Sequence, residues 1–173
     1  MNIILLGYRG TGKSIISKIL AQKLGRKRIS IDKEIVRSAG LPIPQIVQKW
    51  GWPKFREIES RIVQEVSARE REAVIDCGGG VVLDDQNIAC LKKQGRAVVL
   101  RADLQTLLKR IKNDPNRPPL KEGLSFEEEQ KIVLREREPK YQSAADMTCD
   151  TTSKKAMATA MEIIEFFQMK KWI

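Results

Sequence analysis

Short, dense apolar runs alternate along the chain with longer stretches in which apolar residues recur at helical spacing. The runs at 2–6, 28–31, 73–76, 97–101 and 147–151 are predicted strands. Those at 73–76 and 97–101 are rich in Val and Ile, as strands buried on both faces are. Residues 13–24, 53–68, 86–93, 104–112, 126–144 and 155–169 are predicted helices. Strands alternating with helices imply βαβ units, hence an α/β fold with a parallel sheet covered on both faces in three layers. Ligands of such sheets bind outside the carboxyl ends of the strands. There is no internal repeat and no low-complexity linker, and 173 residues suit one domain spanning 1–173.

Composition narrows the class. Apolar residues make up 42% and charged residues 31%, an ordinary soluble balance, and no run has the roughly 18 apolar residues of a membrane span. The apolar run at 3–6 is too short for a signal peptide. Three dispersed cysteines lack metal-ligand spacing, which predicts reduced thiols and a cytoplasmic location. The net charge of +10 is spread along the chain without a basic run, and nine aromatics are too few and scattered for a base-stacking platform. No nucleic-acid or membrane partner is expected; a handful of the cations line an anion site. With no histidine, a His base or His metal ligand is excluded.

The strongest chemical signal is Gly7-Tyr8-Arg9-Gly10-Thr11-Gly12-Lys13-Ser14, a complete G-x-x-x-x-G-K-S between a predicted strand and a predicted helix. Its glycines let backbone N–H groups point inward at an anion, and the helix adds its N-terminal dipole. Gly10, Thr11, Gly12, Lys13 and Ser14 are therefore predicted to bind a nucleoside triphosphate, with Lys13 on the β- and γ-phosphates and Ser14 on Mg²⁺. The loop alone does not identify the phosphoryl acceptor.

Four further features address the acceptor. Asp32, at the end of the second predicted strand, either receives a hydrogen bond or proton from an alcohol or caps a helix. Arg56 and Glu59, at i and i+3, form either a surface ion pair or a guanidinium fork held toward a carboxylate. Gly78, Gly79 and Gly80 leave backbone bare for close approach. Asn116-Arg117-Pro118-Pro119-Leu120 and Arg137-Glu138-Pro139-Lys140-Tyr141 flank a charged segment. That segment is either a surface loop or a lid, placed at about 113–125.

In this order and approximate spacing, from residue 2 to about 151, these motifs resemble the shikimate kinase family, which phosphorylates the 3-hydroxyl of shikimate with ATP. The resemblance implies a P-loop NTPase fold, adenylate-kinase-like, with a five-stranded parallel sheet. It implies that Asp32, Arg56, Gly79 and Arg137 bind shikimate, the two arginines on its carboxylate, with a shikimate-binding region at about 32–60. Glu59 would orient Arg56, with Gly78 and Gly80 in support. Arg117 would reach the transferred phosphoryl group, and Arg110 would lie against the adenine. Lys13, Asp32 and Arg117 form the expected catalytic set, and a monomer is expected.

One position departs from the family pattern. Strand two usually ends Asp-x-Asp, the first carboxylate helping to hold Mg²⁺ through water. Here the sequence is Ser30-Ile31-Asp32. Asp76, after Val74-Ile75, reads as a Walker B carboxylate and is the candidate replacement; capping the glycine turn is its other reading. Two rival functions stay open. One is a gluconate-type or nucleoside-monophosphate kinase, and the other is a non-catalytic nucleotide-binding regulatory protein.

Overall fold

In the computed structural model, residues 1–112, 118–121 and 123–173 are described. Arg117, predicted to reach the phosphoryl group, and most of the first half of the expected lid lie outside them. Five strands form one wholly parallel sheet in the order β2-β3-β1-β4-β5: β1 (Asn2–Gly7), β2 (Arg28–Ser30), β3 (Val74–Asp76), β4 (Gly95–Arg101) and β5 (Met147–Asp150). The helices are α1 (Lys13–Leu24), α2 (Ile31–Ala39), α3 (Ile43–Arg69), α4 (Asp85–Lys92), α5 (Leu104–Ile111), α6 (Phe126–Ala144) and α7 (Ala156–Met169).

The central strand sets the layering. Side chains alternate across a strand, so Ile3 and Leu5 face one side of β1 while Ile4 and Leu6 face the other. The first pair packs with Ile16 and Leu20 of α1 and with Ile163 and Phe167 of α7. The second pair packs with Ile35 of α2, Ile62 and Val66 of α3, and Val133 of α6. All four β1 residues are fully buried. Phe167 is also fully buried, and truncating it to Ala would cost about 3–5 kcal/mol. Trp172 folds back onto this layer, its ring centroid 5.2 Å from that of Phe167.

Two elements differ from the sequence expectation. Strand two stops at Ser30, whose hydroxyl accepts from Lys33 N and caps α2. Asp32 therefore sits in the first turn of a helix rather than at a strand end, and Ser30 is the capping residue instead. Helix α3 begins at Ile43, ten residues before the predicted start, and breaks its helical geometry at Gly51, ahead of Pro53. These glycine and proline signals hide its first segment from a periodicity reading.

Chain connections place the cleft. From β1 the chain runs to β2 on one side, and from β3 it crosses to β4 on the other. Such a reversal opens a crevice at the carboxyl end of β1, where the phosphate loop lies.

Candidate active site

The loop after Gly7 turns through left-handed backbone at Gly10 (φ +80°) and Gly12 (φ +90°), conformations that side-chain-bearing residues rarely adopt. Gly12 precedes α1, and no side chain caps that helix, so its leading N–H groups face the cleft. Lys13 reaches back across the loop, donating to Gly7 O at 2.7 Å and Tyr8 O at 2.8 Å. Thr11 Oγ1 donates to Tyr8 O at 2.7 Å. The outer rim is braced from α5 and from the end of β5. Arg110 donates to Gly10 O at 3.1 Å and to Thr151 O at 2.8 Å, and Thr151 Oγ1 donates to Thr11 O at 3.1 Å. Gly10, Gly12, Lys13, Ser14, Asp32, Asp76, Gly78, Gly79 and Arg110 thus border one donor cleft of about 330 Å³.

Asp76 sits at the floor of that cleft. Its Oδ2 accepts from Arg28 at 2.6 Å, and the same guanidinium donates through Nε to Ser17 Oγ at 2.6 Å. Ser30 pairs with Asp76 in the β2–β3 register. The position that lacks a carboxylate is therefore beside the carboxylate nominated to replace it. Among the described residues no cluster of three or more acidic or cysteine side chains could hold a metal. A cation here would rest on phosphate oxygens, water, the Ser14 hydroxyl and at most a carboxylate or two. That donor set fits Mg²⁺, which retains several waters.

A second cavity, about 290 Å³, adjoins the first and shares Asp32, Gly78 and Gly79 with it. Arg56 enters it from α3, paired with Glu59 one turn on, its guanidinium 5.4 Å above the Trp52 ring and 5.0 Å above the Phe55 ring. Glu59 is 1% exposed, and its Oε1 has no hydrogen-bond partner. Burial pushes its pKa up, with Arg56 opposing. Arg137 enters from α6 and donates to Gly79 O at 3.0 Å. Tyr141 OH donates to the same oxygen at 2.5 Å, and burial pushes this phenol well up.

The glycine triplet serves the side chains as much as any ligand. A methyl group on Gly80 would overlap the Arg56 guanidinium, and one on Gly78 would come within 2.9 Å of both Asp32 Oδ1 and Glu59 Oε1. The triplet is the space in which the charged groups meet.

The structure brings together Lys13, Ser14, Asp32, Arg56, Glu59, Gly78, Gly79, Gly80, Asp76, Arg110 and Arg137 from the predicted set. From the expected lid, Pro118 and Leu120 border the acceptor cavity, and Trp52 Nε1 donates to Pro119 O at 3.1 Å. Sequence reasoning missed Arg9 and Trp52 as cavity-lining residues. It also missed a buried chain in which Tyr8 OH donates to Gln130 Oε1 at 2.8 Å, and Gln130 Nε2 to Glu129 Oε2 at 2.5 Å. Glu129 Oε1 then accepts from the backbone N–H groups of Leu120 and Lys121.

Comparison with known proteins matches this arrangement. A family model described as shikimate kinase matches residues 9–168. The chain is 37% identical to a shikimate kinase of Thermodesulfovibrio yellowstonii over 167 residues, covering 96% of this chain and 95% of that one. It is 36% identical to a shikimate kinase of Pelotomaculum thermopropionicum, covering 99% and 98%. Among solved structures, a shikimate kinase from Acinetobacter baumannii in complex with shikimate superposes with a TM-score of 0.92 at 33% identity, covering 98% of this chain and 94% of that one.

Proposed function

The chain belongs to the shikimate kinase family, and on that premise we propose that it transfers the γ-phosphoryl group of ATP to the 3-hydroxyl of shikimate. One observation carries the assignment of residues. The phosphate-loop cleft and an arginine-lined acceptor cavity meet at Asp32, Gly78 and Gly79.

On the donor side, the N–H groups of Gly10, Thr11, Gly12 and Lys13 and the dipole of α1 cradle the phosphates. The Lys13 ammonium exchanges its loop carbonyls for β- and γ-phosphate oxygens. Arg110, on the rim, borders the adenine end. On the acceptor side, Arg56 and Arg137 take the substrate carboxylate, and Glu59 fixes the direction of Arg56. That grip puts the far side of the ring, with its hydroxyls, at Asp32. The transfer is an in-line displacement: the hydroxyl oxygen bonds to the γ-phosphorus, the bond to the β–γ bridging oxygen breaks, and the hydroxyl proton passes to Asp32. Positioning and charge neutralisation supply most of the acceleration in such reactions. Bound Mg²⁺ would supply charge neutralisation at the phosphates, held by Ser14 directly and by Asp76 through water. Arg117, which lies outside the described residues, is assigned to the transferring phosphoryl group on the family resemblance alone.

The reading extends to a monomer acting on small molecules in a reducing compartment, which keeps buried thiols such as Cys77 and Cys149 free. No helix among the described residues is long and apolar enough to cross a membrane.

The test is a panel of acceptors in a coupled ADP-release assay. Shikimate is expected to turn over, and gluconate and nucleoside monophosphates are not. Turnover of either rival without shikimate turnover would overturn the reading. ATP binding without turnover of any acceptor would favour a regulatory protein.

A further inference from the structure

Arg28 stands behind the floor of the donor cleft: Asp76 borders the cleft and Arg28 does not. Strand residues two apart share a face, so Arg28 and Ser30 lie on the same side of β2. Ser30 pairs with Asp76 in the register, which makes Arg28 the diagonal neighbour of Asp76. Its Nη2 donates to Asp76 Oδ2 at 2.6 Å and its Nε to Ser17 Oγ at 2.6 Å. The fully buried Ser17 hydroxyl stands 3.1 Å from Ser14 O and 3.5 Å from Asp76 Oδ2. One guanidinium therefore joins β2, α1 and β3 behind Ser14 and Asp76, the two side chains assigned to Mg²⁺. The bonds from Arg28 and Ser17 both fall on Oδ2 of Asp76, which leaves Oδ1 for a water of the metal. Water reaches the ion pair poorly, since the Arg28 side chain is 17% exposed and that of Asp76 is 6% exposed. Its charges are therefore weakly screened from the cleft. Asp76 alone would set a full negative charge beside the phosphates, repelling them and attracting a divalent cation. Paired with Arg28, it presents a net charge near zero, and Ser30 beside it adds none.

We infer that Arg28 is a positioning residue of the donor site that acts through Asp76: it fixes that carboxylate and, by offsetting its charge, lowers the dependence of nucleotide binding on Mg²⁺. A lone carboxylate on the floor would favour the metal-bound nucleotide and reject the bare one. The ion pair narrows that difference while keeping an oxygen in place for the metal's water. The inference rests on the reading of this cleft as the site of ATP and Mg²⁺.

The experiment measures ADP binding by calorimetry, once with EDTA and once with saturating Mg²⁺, and takes the ratio of the two dissociation constants. Wild type is compared with Arg28→Met, Arg28→Lys, Asp76→Asn and the double variant Arg28→Met/Asp76→Asn, with melting temperatures alongside. Uncovering the Asp76 charge should raise the ratio of EDTA to Mg²⁺ constants roughly 5- to 50-fold in Arg28→Met. Asp76→Asn should lower the ratio, because it leaves the arginine unopposed. The double variant should return toward the wild-type ratio, and Arg28→Lys should stay near it because the charge is kept. A purely structural link would weaken ADP equally with and without the metal and leave the ratio alone. A folded Arg28→Met protein with the wild-type ratio would therefore overturn the inference. Should that variant not fold, Asp76→Asn carries the test: a lowered ratio supports the inference and an unchanged one overturns it. Failure of wild type to bind ADP even with Mg²⁺ would instead overturn the reading of the cleft as the nucleotide site.

Discussion

Replacing Gly80 by alanine would test whether the glycine triplet exists to house Arg56. Gly80 has φ −102° and ψ −1°, a conformation alanine adopts without strain. The added methyl would overlap only the Arg56 guanidinium among its nearest neighbours, so the arginine must leave. Arg56 is the mobile end of a long side chain, 26% exposed, and has solvent to move into. Its departure strips Glu59 of its cation. Losing that one pair should cost about 1–3 kcal/mol of stability. At about 2–4 °C per kcal/mol for a chain of this length, the melting temperature should fall by roughly 2–12 °C. The functional loss is more specific. Removing the charge-assisted hydrogen bonds of Arg56 to a carboxylate forfeits about 1.5–3 kcal/mol of binding. Shikimate KM should therefore rise about 10- to 100-fold. ATP KM should hold, because Gly80 borders the acceptor cavity and not the donor cleft. Steady-state kinetics in the ADP-release assay read both constants. A folded Gly80→Ala protein with wild-type shikimate KM would refute the placement of Arg56 on the substrate.

Four other substitutions address the remaining charges. Burial holds the folded-state pKa of Glu59 above its ordinary 4.5, so its contribution to stability is full below that value and is lost as pH rises through the folded value. Glu59→Gln should accordingly gain stability relative to wild type as pH rises from about 4 toward 8 in thermal melts, while shikimate KM increases; a stability difference that is flat with pH would contradict the burial argument. Asp76→Asn should raise the Mg²⁺ concentration needed for half-maximal rate, and Ser30→Asp should lower it. Unchanged magnesium dependence in Asp76→Asn would remove Asp76 from the metal site and leave it as the partner of Arg28. Asp32→Asn should cut kcat about 10²- to 10⁴-fold while leaving ATP KM nearly unchanged, as loss of a proton acceptor does; a kcat near wild type would show that Asp32 takes no proton.

The donor half of the site was legible because its signal is local. Gly7 to Ser14 occupy consecutive positions between a strand and a helix, and backbone geometry follows from the glycines directly. The acceptor half was legible as far as its lining goes: Asp32, Arg56 and Arg137, singled out by residue type, border one cavity. It was illegible where function depends on what surrounds a residue. Arg9 reads as one basic residue in a loop, and only the fold shows it buried against Tyr8 beside Arg137. Tyr8 and Gln130 are 122 residues apart, so no sequence spacing announces their bond. The misplaced boundary at Ser30 has a local cause: an isoleucine between two polar residues reads as strand, whereas the serine cap turns the chain into α2. Asp32 reaches the site anyway, from the helix's first turn, since the strand end and the helix start occupy the same corner of the cleft.

Where the phosphoryl group goes is the most direct test of the site. Wild-type protein incubated with ATP, Mg²⁺ and shikimate, followed by phosphorus NMR, should accumulate a single phosphomonoester on the 3-hydroxyl of shikimate, with Asp32→Asn forming it far more slowly. ATP consumed without a shikimate ester, or an ester on another hydroxyl, would contradict the arrangement of Asp32, Arg56 and Arg137 around the substrate.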